Sequence, residues 1–92
     1  MIKIKVKFFA YFRELFGGRE RELVLEDGLN LAELLNRLTE TPQQKAEIFQ
    51  DDQLKAQVVV MINGSVVAPE NLARTRIEDG AVIALFPMMG GG

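Results

Sequence analysis

The residues of this 92-residue chain that could take part in chemistry stand at its C-terminal end. The sequence closes on Gly90, Gly91 and Gly92, after an apolar segment and a proline. Glycines lack a Cβ, so such a tail can thread a channel that is closed to other residues. The six residues after Phe86 span on the order of 20 Å when extended. The carboxylate of Gly92 is a poor electrophile, but activation as an acyl-adenylate would let sulfide convert it into a thiocarboxylate.

The rest of the chain carries few groups that catalyse reactions. Cysteine is absent, which excludes disulfides, thiolate metal sites and cysteine nucleophiles. Histidine, the commonest general base near neutral pH, is absent as well. We therefore expect a protein that is not itself an enzyme and whose tail is activated by partner enzymes. The alternative is an inert tail that frays, as chain ends commonly do.

Composition and charge narrow the classes of partner. Hydrophobic residues make up 48% of the chain, which suits one small domain with a modest core. The net charge of -2 does not favour a nucleic-acid surface. No apolar run approaches the roughly 20 residues that cross a membrane, and the first residues do not resemble a signal peptide. These features predict a cytoplasmic protein with no nucleic-acid or membrane partner and no bound metal or cofactor.

Two segments give clear periodic patterns. Residues 2–8 alternate between apolar residues and lysines, which predicts a strand with one buried face and one face in water. The exposed lysines could instead meet an acidic partner. In residues 31–38 the leucines recur at the spacing of one helical face, preceded by Asn30 as N-cap and with Glu33 completing a capping box. This helix is predicted to be the main support beneath the sheet.

The remaining elements are bounded by turn residues. We predict strands at 19–26, 57–62, 65–67 and 81–86 and short helices at 10–16 and 43–50. Phe9, Phe12 and Phe16 are expected to share one face, with most of this cluster in the core, and Pro87 is expected to end the last strand. The order predicts an α+β protein with a β-grasp (ubiquitin-like) fold, a mixed sheet of four to five strands on one main helix. Residues 1–87 would form the domain and residues 88–92 a flexible tail.

Alternation also predicts a docking surface. If Val60, Ile62, Ile83 and Leu85 face the helix, then a second apolar set lies on the opposite face of the sheet. That set consists of Val59, Met61, Ala84 and Phe86. Exposed apolar residues that cluster in this way indicate a partner site, and methionine suits adaptable contacts. The alternative is that the helix at 43–50 covers them.

Four separated segments carry a resemblance to a known family. They are residues 4–17 around Phe8-Phe9-Ala10 and Arg13-Glu14-Leu15, the helix at 31–38, the hairpin at 60–64, and residues 79–87, Asp-Gly-Ala-Val-Ile-Ala-Leu-Phe-Pro. In this order, with glycines at the end, they resemble the MoaD-type small subunit of molybdopterin synthase, a ubiquitin-like sulfur carrier. The resemblance covers nearly the whole chain and is weakest through residues 41–56.

The resemblance implies a mechanism for the tail. An E1-like enzyme would use ATP to adenylate Gly92, which would then become a thiocarboxylate. Gly90 and Gly91 would thread into the large subunit of the synthase, where the sulfur passes to a pterin precursor. The chain departs from the family pattern in having three terminal glycines rather than two, and Met88 where a second proline is usual. If the third glycine were trimmed, Gly91 would become the reactive end.

Other functions fit the same residues. The chain could carry sulfur for thiamine, an amino acid or a tRNA base, or it could be a protein modifier whose glycine forms isopeptide bonds with lysines. A function of a different class is a β-grasp interaction module with an inert tail. The identity of the sulfur acceptor depends on the pocket of the partner.

Overall fold

The computed structural model describes residues 1–88, which form seven strands and four helices. The strands are β1 (Ile2–Phe8), β2 (Glu20–Leu25), β3 (Phe49–Gln50), β4 (Gln53–Leu54), β5 (Val58–Ile62), β6 (Ser65–Val67) and β7 (Val82–Pro87). The helices are α1 (Phe12–Phe16), α2 (Leu31–Leu38), α3 (Pro42–Ile48) and a 3₁₀ helix (Pro69–Arg74). Within residues 1–88, no helix is both long and apolar enough to cross a membrane.

Five of the strands form one mixed sheet in the order β2-β1-β7-β5-β6, while β3 and β4 pair separately as a small hairpin. The central strand β7 runs parallel to β1 and antiparallel to β5. The leucines of α2 are buried against one face of this sheet. This is the predicted β-grasp, ubiquitin-like fold, and the sheet has the higher of the two strand numbers expected.

The alternation of β1 is confirmed. Its apolar residues from Ile2 to Phe8 are at most 8% exposed, whereas the lysines between them lie on the other face. Strand β2 pairs with β1 so that Ile2 is opposite Leu25 and Lys7 is opposite Glu20. Since residues opposite each other share a face, the lysines of β1 and Glu20 and Glu22 of β2 lie on the side away from α2, whereas Arg21, opposite the buried Val6, lies on the other side.

Helix α2 begins and packs as predicted. The side chain of Asn30 accepts a hydrogen bond from the backbone N–H of Glu33 (2.8 Å), and the carboxylate of Glu33 accepts one from the N–H of Asn30 (3.1 Å). These two bonds satisfy backbone donors that a helix leaves free at its start. The four leucines at 31, 34, 35 and 38 are at most 2% exposed, so the apolar stripe forms the centre of the core.

The prediction that the three phenylalanines share one face is wrong for Phe9, whereas the expectation that most of this cluster lies in the core is confirmed. Phe12 is fully buried and Phe16 stacks on Phe8 with ring centroids 4.5 Å apart, but Phe9 is 38% exposed. The chain turns sharply at Ala10, whose φ is 54° in the left-handed region. Phe9 therefore does not belong to the helical turn, and it stays on the face of the sheet that carries the lysines of β1.

The prediction that the last strand covers residues 81–86 and stops before Pro87 is wrong by one residue, since β7 ends at Pro87, which is in register with Val58. The backbone N–H of Met88 donates to the carbonyl of Gln57 in the antiparallel ladder with β5. Successive residues of a strand bond to alternate sides, so the nitrogen of Pro87 points towards β1. Strand β1 has ended at Phe8, and a proline without an N–H is therefore tolerated there.

Candidate functional site

A shallow apolar depression lies on the outer face of the sheet, the face away from α2. Its lining consists of Phe9, Met61, Ala84 and Phe86, which we call the apolar patch; the lining exposes no polar atom. Met61 lies opposite Ala84 in the pairing of β5 with β7. Phe9 meets Phe86 edge to face with ring centroids 6.0 Å apart. The depression has a volume of about 340 Å³.

The four residues predicted to form a docking surface lie together. Val59, Met61, Ala84 and Phe86 are all half-buried and share the outer face, because Val59 lies opposite Phe86 and Met61 opposite Ala84. Three of them line the apolar patch, and Val59 borders it. Their use by a partner stays a prediction.

Phe9 is the patch residue that the sequence-based prediction missed. The signal was present, because the outward positions of β1 recur every second residue and reach residue 9 two places after Lys7. The helical spacing from Phe9 to Phe12 and Phe16 instead assigned Phe9 to the helix α1, which begins only at Phe12. Phe9 also lies beneath Arg13, whose guanidinium carbon is 5.7 Å from the ring centroid. The Nε of Arg13 donates to the carbonyl of Phe8 (3.1 Å), which fixes this cation beside the patch.

The other half of the outer face is charged. Lys3, Lys5 and Lys7 of β1 lie opposite Val24, Glu22 and Glu20 of β2. The Nζ of Lys5 is 3.2 Å from a carboxylate oxygen of Glu20. Lys7 also pairs with Ala84 of β7, so the charged half begins directly beside the apolar patch.

Helix α3 does not cover the apolar patch. It packs beside α1, where the side-chain amide of Gln44 donates to the carbonyl of Leu15 (3.2 Å). The hydroxyl of Tyr11 donates to the carboxylate of Glu47 on the same helix (3.3 Å). The alternative that the helix at 43–50 hides the predicted docking residues is therefore wrong.

The ionisable groups with displaced pKa values lie away from the patch. Partial burial, and then the negative charge of Glu47, raise the pKa of Tyr11. The hydrogen bond from Arg37 lowers the pKa of Glu26, and the same bond raises the pKa of Arg37. These pairs join the residue before α1 to α3 and the residue after β2 to α2, so they hold neighbouring elements together.

Strand β7 connects the patch to the tail. Phe86 lines the patch, and Met88, two residues later, is the last residue that the structure describes. The predicted reactive residue Gly92 and the threading residues Gly90 and Gly91 lie outside the described residues. What the structure provides is the starting point of the tail, at the end of the central strand and next to an apolar surface.

Comparison with known proteins identifies the family. Residues 6–92 match the ThiS family. The chain belongs to the ThiS family. It is thus a ubiquitin-like protein of the sulfur carrier and modifier group, in which the resemblance to MoaD also placed it.

Three relatives show how this ThiS-family protein compares with others. Small archaeal modifier protein 3 of Haloferax volcanii is 27% identical over 92 residues, which cover 99% of this chain and all of the relative. The crystal structure of small archaeal modifier protein 1 of the same organism superposes with a TM-score of 0.82 at 26% identity, covering 98% of this chain and 99% of that one. A Pyrococcus furiosus protein assigned by name to molybdopterin converting factor, subunit 1, superposes with a TM-score of 0.72 at 29% identity. The match covers 95% of this chain and 98% of that one.

Proposed function

We propose that this ThiS-family protein is a sulfur carrier whose Gly92 carboxylate is adenylated and converted to a thiocarboxylate that donates sulfur in molybdopterin synthesis. The observation that carries the proposal is the continuity of β7, which leads from an exposed apolar patch directly into the glycine tail. A partner that covers the patch would receive the tail at a fixed place. An E1-like enzyme and a synthase large subunit are the partners that this function requires.

The apolar patch supplies the binding energy for such a partner. Two aromatic side chains and a methionine are brought together there, and these residue types are enriched where protein interfaces are most tightly packed. Completely burying one side chain of this kind contributes about 1.5 to 3 kcal/mol. Because the patch residues are already half-buried, each contributes a part of that amount. The adjoining charged half of the face would set the orientation of the partner.

The tail provides the length that the proposed reaction requires. If fully extended, the five residues after Pro87 would span roughly 17 Å at about 3.4 Å per residue. That length allows Gly92 to enter an active site buried in the partner while the domain stays on its surface. The activating enzyme would join the carboxylate to the AMP portion of ATP and release pyrophosphate. Sulfide supplied by the activating system would then form a bond to the glycine carbonyl carbon as the bond to AMP breaks, which leaves the thiocarboxylate.

A second candidate function is protein modification, which the two small archaeal modifier proteins among the relatives favour. The first step is the same, since a lysine amine needs an activated carboxyl as much as sulfide does. The activated Gly92 carbonyl would then form an isopeptide bond with the lysine of a target protein.

The mass of the intact protein, purified from its own cells under reducing conditions, tests the shared step. We expect a species heavier by the sulfur-for-oxygen difference, located in the C-terminal peptide, and the peptide mass identifies Gly92 or Gly91 as its end. Deleting Gly91 and Gly92 should abolish it. Gly18→Ala is the control, because a Cβ at Gly18 meets no atom closer than 3.9 Å. An unmodified terminus after incubation with the cognate E1-like enzyme, ATP and a sulfur donor would instead support the interaction module.

The acceptor is tested by transfer from the thiocarboxylate form. Sulfur transfer to a pterin precursor in the presence of the synthase large subunit would support the first function. Conjugates that survive a denaturing gel, and that contain an isopeptide bond to lysine, would support the second. Both reactions should stop when the last two glycines are deleted.

A further inference from the structure

A second concave surface lies on the helix side of the sheet, away from the apolar patch. It is a groove of about 360 Å³ between α2, the β3–β4 hairpin and the 3₁₀ helix. Its lining comprises Ala32, Asn36, Phe49, Asp52, Gln53, Leu54, Pro69, Glu70, Leu72 and Ala73. The volume lies within the range of about 300–1,000 Å³ that is typical of small-ligand pockets.

The groove joins an apolar surface to two carboxylates. Phe49, Leu54 and Leu72 contribute apolar area, and all three belong to the core or pack against it. The two charged residues of the lining, Asp52 and Glu70, are both acidic and exposed. Neither takes part in an ion pair within residues 1–88, in which four such pairs occur. The charge of the groove is therefore negative and available to a ligand.

Local structure fixes the position of one of these carboxylates. The β3–β4 hairpin turns through Asp51 and Asp52, whose φ values of 51° and 65° lie in the left-handed region. Aspartate is among the residues that enter this region at little cost. The pairing of Phe49 with Leu54, and the bond from the N–H of Lys55 to the carbonyl of Ile48 (2.9 Å), attach the hairpin to the end of α3. Asp52 is therefore held at the groove by a closed turn.

We propose that this groove binds a segment of a partner protein in which a lysine or arginine stands next to apolar residues. The aliphatic stem of such a side chain can lie along the apolar lining while its charged end meets Asp52 and Glu70. The groove and the apolar patch are on opposite sides of the sheet, so a protein in the groove leaves the patch and β7 accessible. The carrier can then hold two proteins at once. This site does not depend on any chemistry at Gly92.

The test follows backbone amide resonances while a short peptide of alternating leucine and lysine is added. We expect shifts at Ala32, Leu54 and Ala73 in the groove, and none at Met61 and Ala84 in the patch. A peptide with glutamate in place of lysine should cause no shifts. Absence of shifts with the lysine peptide, or shifts centred on the patch, would overturn the proposal.

Charge-neutralising variants supply the matched comparison. The double variant Asp52→Asn with Glu70→Gln keeps the size of both side chains, and asparagine tolerates the left-handed backbone. We expect it to weaken peptide binding roughly fivefold, the effect of losing two exposed ion pairs. The control is Asp51→Asn with Glu78→Gln, which removes the same charge from residues that do not line the groove. Equal weakening by the two double variants would refute the assigned site.

Two further measurements test the role of the groove carboxylates and separate the groove from the apolar patch of the proposed function. Added salt should weaken binding to the native protein and have little effect on the variant that lacks both groove carboxylates. Met61→Asp, which changes the patch, should leave peptide binding unchanged. A native protein that binds the peptide equally at low and high salt would contradict the role of the carboxylates.

Discussion

Replacing Met61 with aspartate is the substitution that most directly tests the apolar patch. Met61 is half-buried on β5 and lines the patch together with Ala84, its partner on β7. In the free protein, the new carboxylate would remain in contact with water. In a complex with the activating enzyme, it would lie in an apolar interface without a partner. We therefore expect a large loss of binding with only a small loss of stability.

The expected loss of binding free energy is the sum of two contributions. Removing the methionine forfeits about half of the 1.5 to 3 kcal/mol that complete burial of such a side chain contributes, or about 1 kcal/mol. Burying a polar group without a hydrogen-bond partner costs about 1 to 3 kcal/mol more. The sum of about 3 kcal/mol corresponds to roughly a hundredfold increase in Kd. Stability should fall by about 1 kcal/mol, the span of β-strand preferences among residue types.

The assay is ATP–pyrophosphate exchange catalysed by the cognate E1-like enzyme at varied concentrations of this protein. Val24→Asp is the matched control, since Val24 is a 59% exposed apolar residue of the same sheet face, on β2 outside the patch. It introduces the same charge into a strand at a similar cost in stability. We expect Met61→Asp to raise KM roughly a hundredfold, as calculated above, and Val24→Asp to leave it nearly unchanged. Equal effects of the two variants would refute docking at the patch.

Three further predictions concern the domain itself. Leu34→Ala should lower the free energy of unfolding, measured by urea titration, by about 2 to 5 kcal/mol, because Leu34 is fully buried. A loss below about 1 kcal/mol would contradict its place in the core. Asn30→Ala removes the N-cap of α2 and should lower the free energy of unfolding by about 1 kcal/mol in the same titration. An unchanged midpoint of urea unfolding would show that the capping bonds contribute nothing to stability. Glu26→Gln should slightly destabilise the protein near neutral pH and have no effect in acid. The hydrogen bond from Arg37 lowers the pKa of Glu26 below its ordinary value of 4.5, so the stabilisation by the Glu26 charge is complete above pH 4.5. This stabilisation disappears as the pH falls through the lowered pKa of the folded state. The same small deficit at every pH would show that the Glu26 charge is not its cause.

Elements with a strong period could be predicted from the sequence. The alternation of β1 and the leucine stripe of α2 each specify one buried face, and both faces are buried as expected. The apolar set on the outer face, predicted to dock a partner, follows from the same reasoning, since alternation in β5 and β7 separates Val59 and Met61 from the buried Val60. Such patterns are reliable because they depend on geometry within one element.

Features that depend on neighbouring elements could not be predicted. The tolerance of Pro87 inside β7 requires that β1 has already ended, which no pattern within residues 82–87 reveals. The acidic groove depends on how the β3–β4 hairpin lies beside α2 and the 3₁₀ helix, elements up to about 40 residues apart in sequence. The hairpin was missed because its turn is Asp51-Asp52 rather than a pair that contains glycine, the stronger signal.

The central position of β7 has a consequence for synthesis and quality control. Until residues 82–87 have left the ribosome, β1 and β2 cannot be joined to β5 and β6, because β7 is the strand between them. The sheet is therefore completed by the segment that also leads into the glycines. A chain that stops early lacks both the finished domain and the terminal glycine whose activation we propose. An activating enzyme that binds the apolar patch thus receives the tail only from molecules in which the sheet is complete.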